Sequence, residues 1–275
     1  MTQQRSSRVW FVTGAGRGFG RLFAEGALAA GDRVVGTARR PGALEELVAE
    51  YGGRLVVLPL DVSDRAAVFA AVKDALAAFG GLDVVVNNAG YGLSGAVEEV
   101  TEGQAREILD TNFFGALWVC QAVAPHLREQ GSGHVVQMSS VSGLVGIPTM
   151  GLYSASKFAL EGMSDALADE LEPFGVRVTL IEPRIYATGF IGPSMRLAEF
   201  SEDYHPVRAA LMERYGGVAP GDPARVAEAV LKLVDSPEPP RRLLLGDGDY
   251  DAIFEAYRRR MAEWTDWEST SRAAG

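Results

Sequence analysis

The sequence has few of the residues that disulfide-bonded, metal-binding or nucleic-acid-binding proteins use. Cys120 is the only cysteine among 275 residues, so no disulfide can form within the chain. The three histidines, His126, His134 and His205, lie far apart without cysteine or carboxylate at ligand spacing, so no metal site is expected. Because 36 acidic residues outnumber 26 basic ones and no basic run is present, neither nucleic acid nor an anionic membrane is an expected partner.

Long apolar runs are also missing. No stretch approaches the roughly 20 apolar residues of a membrane-spanning helix, and the polar start MTQQRSSR leads directly into a short apolar run without a signal-peptide core. We therefore expect a cytoplasmic protein. No G-x-S-x-G segment occurs, which argues against a serine hydrolase.

Short apolar runs alternate with longer amphipathic stretches along most of the chain. Apolar strands separated by helices indicate a parallel sheet covered on both faces. We therefore predict one α/β domain over residues 1–275, a doubly wound seven-stranded parallel sheet with helices on both faces. The predicted strands are 9–13, 33–38, 55–60, 83–87, 134–139, 176–182 and 242–246, and the predicted helices lie near 18–30, 41–50, 64–79, 101–130, 151–174 and 222–236.

Two segments depart from this alternation. Residues 185–220 form a long predicted loop with short helical stretches, and residues 247–275 form an amphipathic helical tail. Asp64 and Asp222 precede helices that they are expected to cap, and Gly31 and Gly80 are placed to end others.

A glycine-rich loop, TGAGRGFG, follows the first predicted strand and leads into the first helix. Gly14, Gly18 and Gly20 would let the backbone turn sharply and approach a pyrophosphate at the helix N-terminus, as in a Rossmann-type dinucleotide site. The alternative is a structural glycine-rich turn.

The end of the second strand indicates which dinucleotide would bind. An acidic residue there would favour the ribose 2′-hydroxyl of NAD(H), whereas arginine attracts the 2′-phosphate of NADP(H). The sequence has Ala38 followed by Arg39, with Arg17 available in the glycine loop, so NADP(H) is favoured over NAD(H). Alternatively, Arg39 and Arg40 only solvate a turn before Pro41.

The pentad YSASK places Tyr153 and Lys157 four residues apart, on one face of a predicted helix. Taken alone, the pair is typical of a surface contact in which lysine extends past a half-buried tyrosine. The motifs elsewhere in the chain change that interpretation.

Taken together, the motifs resemble the short-chain dehydrogenase/reductase superfamily, in its compact single-domain form, over residues 8–250. The resemblance rests on TGAGRGFG, Asp61-Val62 after the third strand, NNAG at 87–90, Asn112, Ser140 and YSASK, in that order. The glycine spacing resembles the compact oxidoreductases and not the larger epimerases. The overall layout, with its long loop and tail, looks similar to bacterial ketoreductases and to members related to 17β-hydroxysteroid and retinol dehydrogenases.

The resemblance implies roles for individual positions. The catalytic residues would be Asn112, Ser140, Tyr153 and Lys157, with Ser140 holding the substrate oxygen and Asn112 anchoring a water chain to Lys157. Alternatively, Asn112 bonds a kinked turn of its own helix and Ser140 belongs to a simple turn, next to Ser139. Asn87 would support the central strand, and the cofactor-binding residues would be Gly14, Arg17, Gly18, Phe19, Gly20, Arg39, Asp61, Val62, Asn88, Ala89, Gly90, Tyr153, Lys157, Pro183, Ile185 and Thr188.

Tyr153 would act as the general acid and base. A free tyrosine has a pKa of about 10 and burial raises it, so Lys157 and the oxidised nicotinamide would have to stabilise the phenolate. In the reducing direction Tyr153 would protonate the carbonyl oxygen while Ser140 polarises it.

One position departs from the family pattern, since Arg184 follows Pro183 where the family usually has glycine. If that glycine adopts a conformation open only to glycine, arginine would shift the loop. Alternatively, the Arg184 guanidinium reaches a substrate oxygen or the cofactor diphosphate.

Apolar residues of several loops predict the substrate class. Phe190, Met195, Leu197 and Phe200 belong to a segment resembling the family's mobile lid, and a bulky apolar ketone or secondary alcohol is expected. Alternatively, they pack only against their own loop. The predicted pocket residues are Tyr91, Leu144, Met150, Tyr186, Phe190 and Met195.

The family commonly dimerises through helices near 101–130 and 151–174, so a homodimer or homotetramer is expected, with the tail capping the pocket or adding a subunit contact. A catalytically silent dinucleotide sensor or scaffold is the alternative function, encouraged only by Arg184.

Overall fold

The computed structural model describes residues 7–246 and 249–275. Its main feature is a seven-stranded sheet in the order β3-β2-β1-β4-β6-β7-β9, in which every neighbouring pair is parallel. The predicted doubly wound α/β fold is confirmed, and each predicted strand is present within a residue or two of its predicted bounds. The strands of this sheet are β1 (Val9–Val12), β2 (Arg33–Ala38), β3 (Leu55–Pro59), β4 (Val84–Asn87), β6 (Gly133–Met138), β7 (Val176–Pro183) and β9 (Arg242–Leu245).

Helices cover both faces because side chains alternate across each buried strand. Trp10 and Val12 of β1 pack in a core beneath α1, α2 and α8, whereas Val9 and Phe11 pack in a second core beneath α3, α5 and α6. The helices are α1 (Gly18–Ala29), α2 (Glu45–Tyr51), α3 (Arg65–Phe79), α4 (Glu102–Leu109), α5 (Gly115–Gln130), α6 (Gly151–Leu171), α7 (His205–Tyr215), α8 (Pro223–Asp235), α9 (Asp249–Asp266) and α10 (Glu268–Ala273).

The residues that the sequence indicates as caps lie at the ends of the helices, Asp64 and Asp222 at N-termini and Gly80 at a C-terminus. Asp64 Oδ1 accepts a hydrogen bond from the Ala67 amide at 3.0 Å, and Asp222 Oδ1 accepts one from the Ala224 amide at 2.9 Å. Gly80 ends α3 in the left-handed conformation, with φ of 79°.

The structure differs from the predicted elements in two places near the carboxyl end of the sheet. The predicted helix 101–130 contains a π-helical turn, Asp110–Phe114, between α4 and α5. A small parallel sheet joins β5 (Gly92–Ser94) to β8 (Met195–Leu197). Strands of three residues are too short to show a period, and one extra residue in a helical turn leaves the apolar pattern nearly unchanged.

The predicted tail is helical, as α9 and α10, although residues 247 and 248 lie outside the described part of the chain. Ile253 of α9 is buried, whereas Phe254, Met261, Trp264 and Trp267 are 56–67% exposed. Within the described residues, no helix is long and apolar enough to span a membrane.

Candidate active site

The glycine loop between β1 and α1 is tied to the end of β4. Asn88 Nδ2 donates to the carbonyl oxygens of Thr13 at 2.9 Å and Gly14 at 3.2 Å, and Thr13 Oγ1 accepts from the amides of Asn88 and Ala89 at 3.0 and 3.1 Å. The predicted cofactor residues Gly14, Asn88 and Ala89 therefore meet at the carboxyl edge of the sheet. In doubly wound folds this edge binds ligands.

The N-terminus of α1 is suited to an anion. Arg17, at the N-cap, has an extended backbone, and no side chain caps the helix, whose first turn contains no acidic residue. Gly18 has a φ of 56°, and a Cβ there would lie 3.4 Å from the carbonyl oxygen of Thr188. The amides of the first turn therefore remain available for hydrogen bonds, and they fit the diphosphate of a dinucleotide.

Arg39 and Asp61 lie at the ends of β2 and β3, where the ribose end of a dinucleotide is expected. Both side chains are exposed, and Ser63 donates to Asp61 Oδ1 from its amide at 3.1 Å and its hydroxyl at 2.7 Å. Partial burial opposes ionisation, but the Ser63 hydrogen bonds and the charge of Arg39 outweigh it and lower the pKa of Asp61. Val62 is buried against Gly115, where an added Cβ would lie 2.6 Å from its Cγ2.

Tyr153 and Lys157 share the buried face of α6, so they are not a surface pair. They are 5% and 6% exposed, and Lys157 Nζ lies 5.8 Å from the centroid of the Tyr153 ring. The same Nζ donates to the Met138 carbonyl at the end of β6, at 2.7 Å.

Burial shifts these two groups in opposite directions. It raises the pKa of Tyr153 to about 12, an effect that the Ser140 hydroxyl partly offsets. It lowers the pKa of Lys157 to about 8, against the opposing charge of Glu161. The expected lowering of the tyrosine pKa by Lys157 is therefore not produced by the protein groups alone, and at neutral pH the phenol holds its proton.

Ser140 follows β6 and faces Tyr153. Its Oγ donates to the Pro183 carbonyl at 3.4 Å and accepts from the Ser142 amide at 3.1 Å, which places it at the start of a 3₁₀ turn. Ser139 instead lies beside Glu161, so of the two serines Ser140 is the one next to the phenol.

Asn112 lies in the π-helical turn and links the loop after β4 to α6. Its Nδ2 donates to the Tyr91 carbonyl at 2.9 Å and to Ser156 Oγ at 3.1 Å, and its Oδ1 accepts from the Tyr91 amide at 3.0 Å. Ser156 in turn donates to the carbonyl of Tyr153 at 2.7 Å. The Asn112 side chain thus bonds two other segments, and not the kinked turn that carries it.

Arg184 causes no backbone strain. Its backbone lies outside the left-handed region, and its amide donates to the Leu245 carbonyl at 3.3 Å, continuing the pairing of β7 with β9. The next residue, Ile185, accepts from the Gly221 amide at 2.9 Å. Arginine therefore follows Pro183 without backbone strain, and a contact of its guanidinium with substrate or cofactor stays a prediction.

Three predicted pocket residues surround Tyr153. Phe190 packs on Tyr153 with ring centroids 5.5 Å apart, and Tyr91 and Met150 belong to the same apolar cluster. Met195 pairs with Gly92 across the small sheet, and a Cβ on Gly92 would lie 2.7 Å from its sulfur. Phe190 and Met195 therefore contact α6 and β5, and do not pack only against their own loop.

The remaining predicted pocket residues, Tyr186 and Leu144, are not members of the apolar cluster around Tyr153. Tyr186 packs edge-on against Phe19, 5.7 Å between centroids, and beside Gly221, so it covers the start of α1. Leu144 is buried after the Ser140 turn, whereas Leu197 and Phe200 are 59% and 45% exposed.

The sequence reasoning did not identify Glu99, which fastens the lid segment (residues 185–220). Arg208 Nη1 contacts both carboxylate oxygens of Glu99 at 3.0 Å, and the Ser201 amide donates to Glu99 Oε1 at 2.6 Å. It also missed Thr149, whose φ of 59° is unusual for a β-branched residue and whose carbonyl accepts from the Gly95 amide at 2.7 Å. Neither residue belongs to a recognisable motif.

Among the described residues, no group of histidine, cysteine, aspartate and glutamate side chains is arranged to hold a metal ion. His134 is buried with its Nε2 2.9 Å from Thr179 Oγ1, and burial lowers its pKa to about 4.

A family model described as short chain dehydrogenase matches residues 8–196. Oxidoreductase BOA17 of Botryotinia fuckeliana (strain B05.10) is 38% identical over 272 residues, covering 98% of this chain and 99% of that protein. A 3-ketodihydrosphingosine reductase of Bacteroides thetaiotaomicron is 36% identical over 247 residues, covering 87% of this chain and 88% of that protein.

Solved structures show the same architecture. A short-chain dehydrogenase from Streptomyces avermitilis matches with a TM-score of 0.92 and 41% identity, covering 99% of this chain and 100% of that one. A Burkholderia phymatum short-chain dehydrogenase/reductase in complex with NAD matches at 0.81 with 26% identity, covering 94% and 95%. A serine dehydrogenase complexed with NADP+ matches at 0.75 with 28% identity, covering 86% and 94%. Structures similar to this chain thus contain either dinucleotide.

Proposed function

The chain belongs to the short-chain dehydrogenase family of NAD(P)-dependent oxidoreductases, and from that membership we propose that it is an NADP(H)-dependent reductase of bulky, largely apolar ketones. The observation that carries the proposal is the convergence of Ser140, Tyr153 and Lys157 at the carboxyl edge of the sheet, beside the uncapped start of α1.

Each of these side chains has a chemical task. The Ser140 hydroxyl polarises the carbonyl oxygen of the substrate by donating a hydrogen bond. When bound, NADPH supplies the hydride that reaches the carbonyl carbon. Tyr153 gives its phenolic proton to the oxygen, so that the ketone becomes a secondary alcohol. The raised pKa of Tyr153, about 12, favours the protonated phenol that this direction requires.

Two arginines support the choice of NADP(H). Arg39 and Arg17 are both exposed, at the end of β2 and at the start of α1. A guanidinium at the end of β2 pairs with a ribose 2′-phosphate, and Arg39 is near enough to the end of β3 for its charge to help lower the pKa of Asp61.

The apolar wall beside Tyr153 supports the substrate class. Phe190, Met150 and Tyr91 leave few polar groups near the phenol. One relative is named as a 3-ketodihydrosphingosine reductase, whose name denotes a ketone on a lipid-like molecule. We extend that class, an apolar ketone, to this chain.

A homodimer or homotetramer is part of the proposal, since the exposed aromatic side chains of α9 are suited to a subunit contact.

The single thiol, Cys120, is buried and its pKa is raised by burial to about 11, which fits a protein kept in the reducing cytoplasm.

The test begins with fluorescence titrations of NADPH and NADH, followed by the absorbance decay of NADPH on addition of a panel of hydrophobic ketones. Turnover with preference for NADPH is expected. In Tyr153→Phe, turnover should fall by about 10²–10⁴-fold, with NADPH affinity nearly unchanged.

Tyr51→Phe on α2 is the matched control and should keep full activity, because that tyrosine lies on α2, outside the cluster around Tyr153. Tight NADPH binding without turnover of any ketone would favour the silent sensor. Loss of NADPH affinity together with turnover in Tyr153→Phe would contradict the assigned role of the phenol.

A further inference from the structure

A second group of ionisable side chains lies buried behind Tyr153 and Lys157. Glu161 follows Lys157 by one turn of α6, and Glu182 is near the end of β7; the two residues are 5% and 2% exposed. Arg242, at the start of β9, places its Nε 3.1 Å from Glu161 Oε2 and 3.4 Å from Glu182 Oε1. Two buried carboxylates therefore share one guanidinium edge.

The surroundings hold Glu161 in place. Arg242 is itself fixed on its solvent side by Asp165, with Nη2 2.6 Å from Oδ2. Gly143, in the turn that follows Ser140, packs so closely that a Cβ there would lie 3.0 Å from Glu161 Cγ and 2.8 Å from Ser139 Oγ. Glu161 thus contacts the catalytic turn directly and leaves little room for another rotamer.

The charges around Glu161 come from every element packed on it. Lys157 and Asp165 lie on α6, Glu182 on β7 and Arg242 on β9, and the neutral Ser139 follows β6. Two carboxylates this close, out of water, do not both ionise near neutral pH. Burial raises the pKa of both carboxyls. At Glu161 the Ser139 hydroxyl and the charge of Arg242 oppose the rise, whereas at Glu182 the charge of Glu161 adds to it and the pKa reaches about 8, so of the two Glu182 holds the proton.

The ammonium of Lys157 needs this arrangement. Its hydrogen bond goes to the Met138 carbonyl, a neutral group. Burial lowers the pKa of Lys157 to about 8, and the negative charge of Glu161 opposes that lowering. A buried ammonium without a nearby negative charge loses its proton near neutral pH.

We propose that Glu161 is a positioning residue for the reductase reaction, whose carboxylate, anchored by Arg242, keeps Lys157 in its ammonium form. This role rests on the proposed function, because Lys157 is one of the three side chains whose convergence carries that function. Glu182 completes the arrangement by remaining protonated, so that Arg242 and the single negative charge of Glu161 stay paired.

The experiment measures NADPH affinity and kcat/KM from pH 6 to pH 10. In Glu161→Gln the alkaline loss of both quantities should move to lower pH, by on the order of one pH unit, because the neutral amide no longer stabilises the ammonium. Glu161→Asp retains the charge but places it further from Lys157, so the limb should move only part of the way. Asp169→Asn, which removes an exposed carboxylate of the same helix that pairs with Arg241, should leave the profile in place.

An unchanged alkaline limb in a folded Glu161→Gln protein would overturn the proposal. If the glutamine variant does not fold, Glu161→Asp decides, because a longer distance between the charges should move the limb part of the way. Wild-type protein that binds NADPH but reduces no ketone would contradict the proposed function alone, since the pH dependence of NADPH binding still tests Glu161.

Discussion

Single ionisable side chains in this protein have their pKa values shifted by burial, and the effect has opposite signs for acids and bases. Tyr153 and Glu182 retain protons that they would lose more readily in water, whereas Lys157 and His134 lose theirs more readily. The raised pKa of Tyr153 suits the proposed reductase reaction, because the group that protonates the carbonyl oxygen must hold its proton at neutral pH.

Arg39 tests cofactor choice at the residue scale. In Arg39→Asp the carboxylate would repel a 2′-phosphate and accept a bond from a 2′-hydroxyl. We expect the ratio of NADPH to NADH affinity to fall by about 10–100-fold, the worth of one charged hydrogen bond. Fluorescence titration measures both affinities. Arg40→Asp changes the same charge one residue later and is the control; an equal effect from both would indicate general electrostatics and not recognition.

His134 gives a prediction about acid stability. Burial in the folded protein lowers the pKa of the His134 ring to about 4, while in the unfolded chain the ring binds its proton near the ordinary histidine pKa of about 6.5. The stabilising contribution is therefore complete above pH 6.5 and is lost as the pH falls towards 4, by on the order of 3 kcal/mol.

Urea unfolding of wild type and His134→Gln at pH 7 and pH 4 measures this contribution. The variant should lose less stability between the two pH values than wild type loses. His205→Gln, at an exposed position, serves as the control. Equal losses in wild type and His134→Gln would show that another group causes the acid sensitivity.

At the scale of elements, the glycine loop depends on contacts that a methyl group would destroy. A Cβ on Gly20 would lie 2.4 Å from both Asn88 Nδ2 and the Gly14 carbonyl oxygen. Gly20→Ala should cost about 1–3 kcal/mol and lower NADPH affinity, because the loop and the end of β4 move apart.

Gly53→Ala provides a matched control, since a Cβ there meets no atom within 4 Å. Thermal unfolding, in which about 2–4 °C corresponds to 1 kcal/mol for a chain of this size, and NADPH titration distinguish the two variants. A Gly20→Ala protein with wild-type Tm and affinity would show that the loop tolerates a wider separation.

At the scale of the whole molecule, α9 stands out because it exposes a stripe of large apolar side chains. Tyr250, Phe254, Tyr257, Met261 and Trp264 recur at spacings of four and three residues, and all are at least 40% exposed. An amphipathic helix with such a stripe is stabilised when another surface covers it.

The paired substitution Phe254→Glu with Trp264→Glu is expected to reduce the proposed oligomer to smaller species, as measured by size-exclusion chromatography with light scattering. Ala252→Glu with Ala262→Glu adds the same charge to the other side of α9 and should leave the oligomer intact. Unchanged mass in the first protein would remove α9 from the subunit contact.

The sequence by itself determined the strands, the glycine loop and the helix that carries Tyr153 and Lys157, because apolar periods, caps and turn residues act over a few neighbouring positions. The fold and the family followed from those local signals.

Only the tertiary structure decided which distant residues meet. Arg184 is accommodated by pairing with β9, the Asn112 side chain bonds Tyr91, and Arg242 joins Glu161 across 81 positions of sequence. Such contacts, and the protonation that burial imposes on them, depend on which strands become neighbours in the sheet, and no local pattern in the chain encodes that distance.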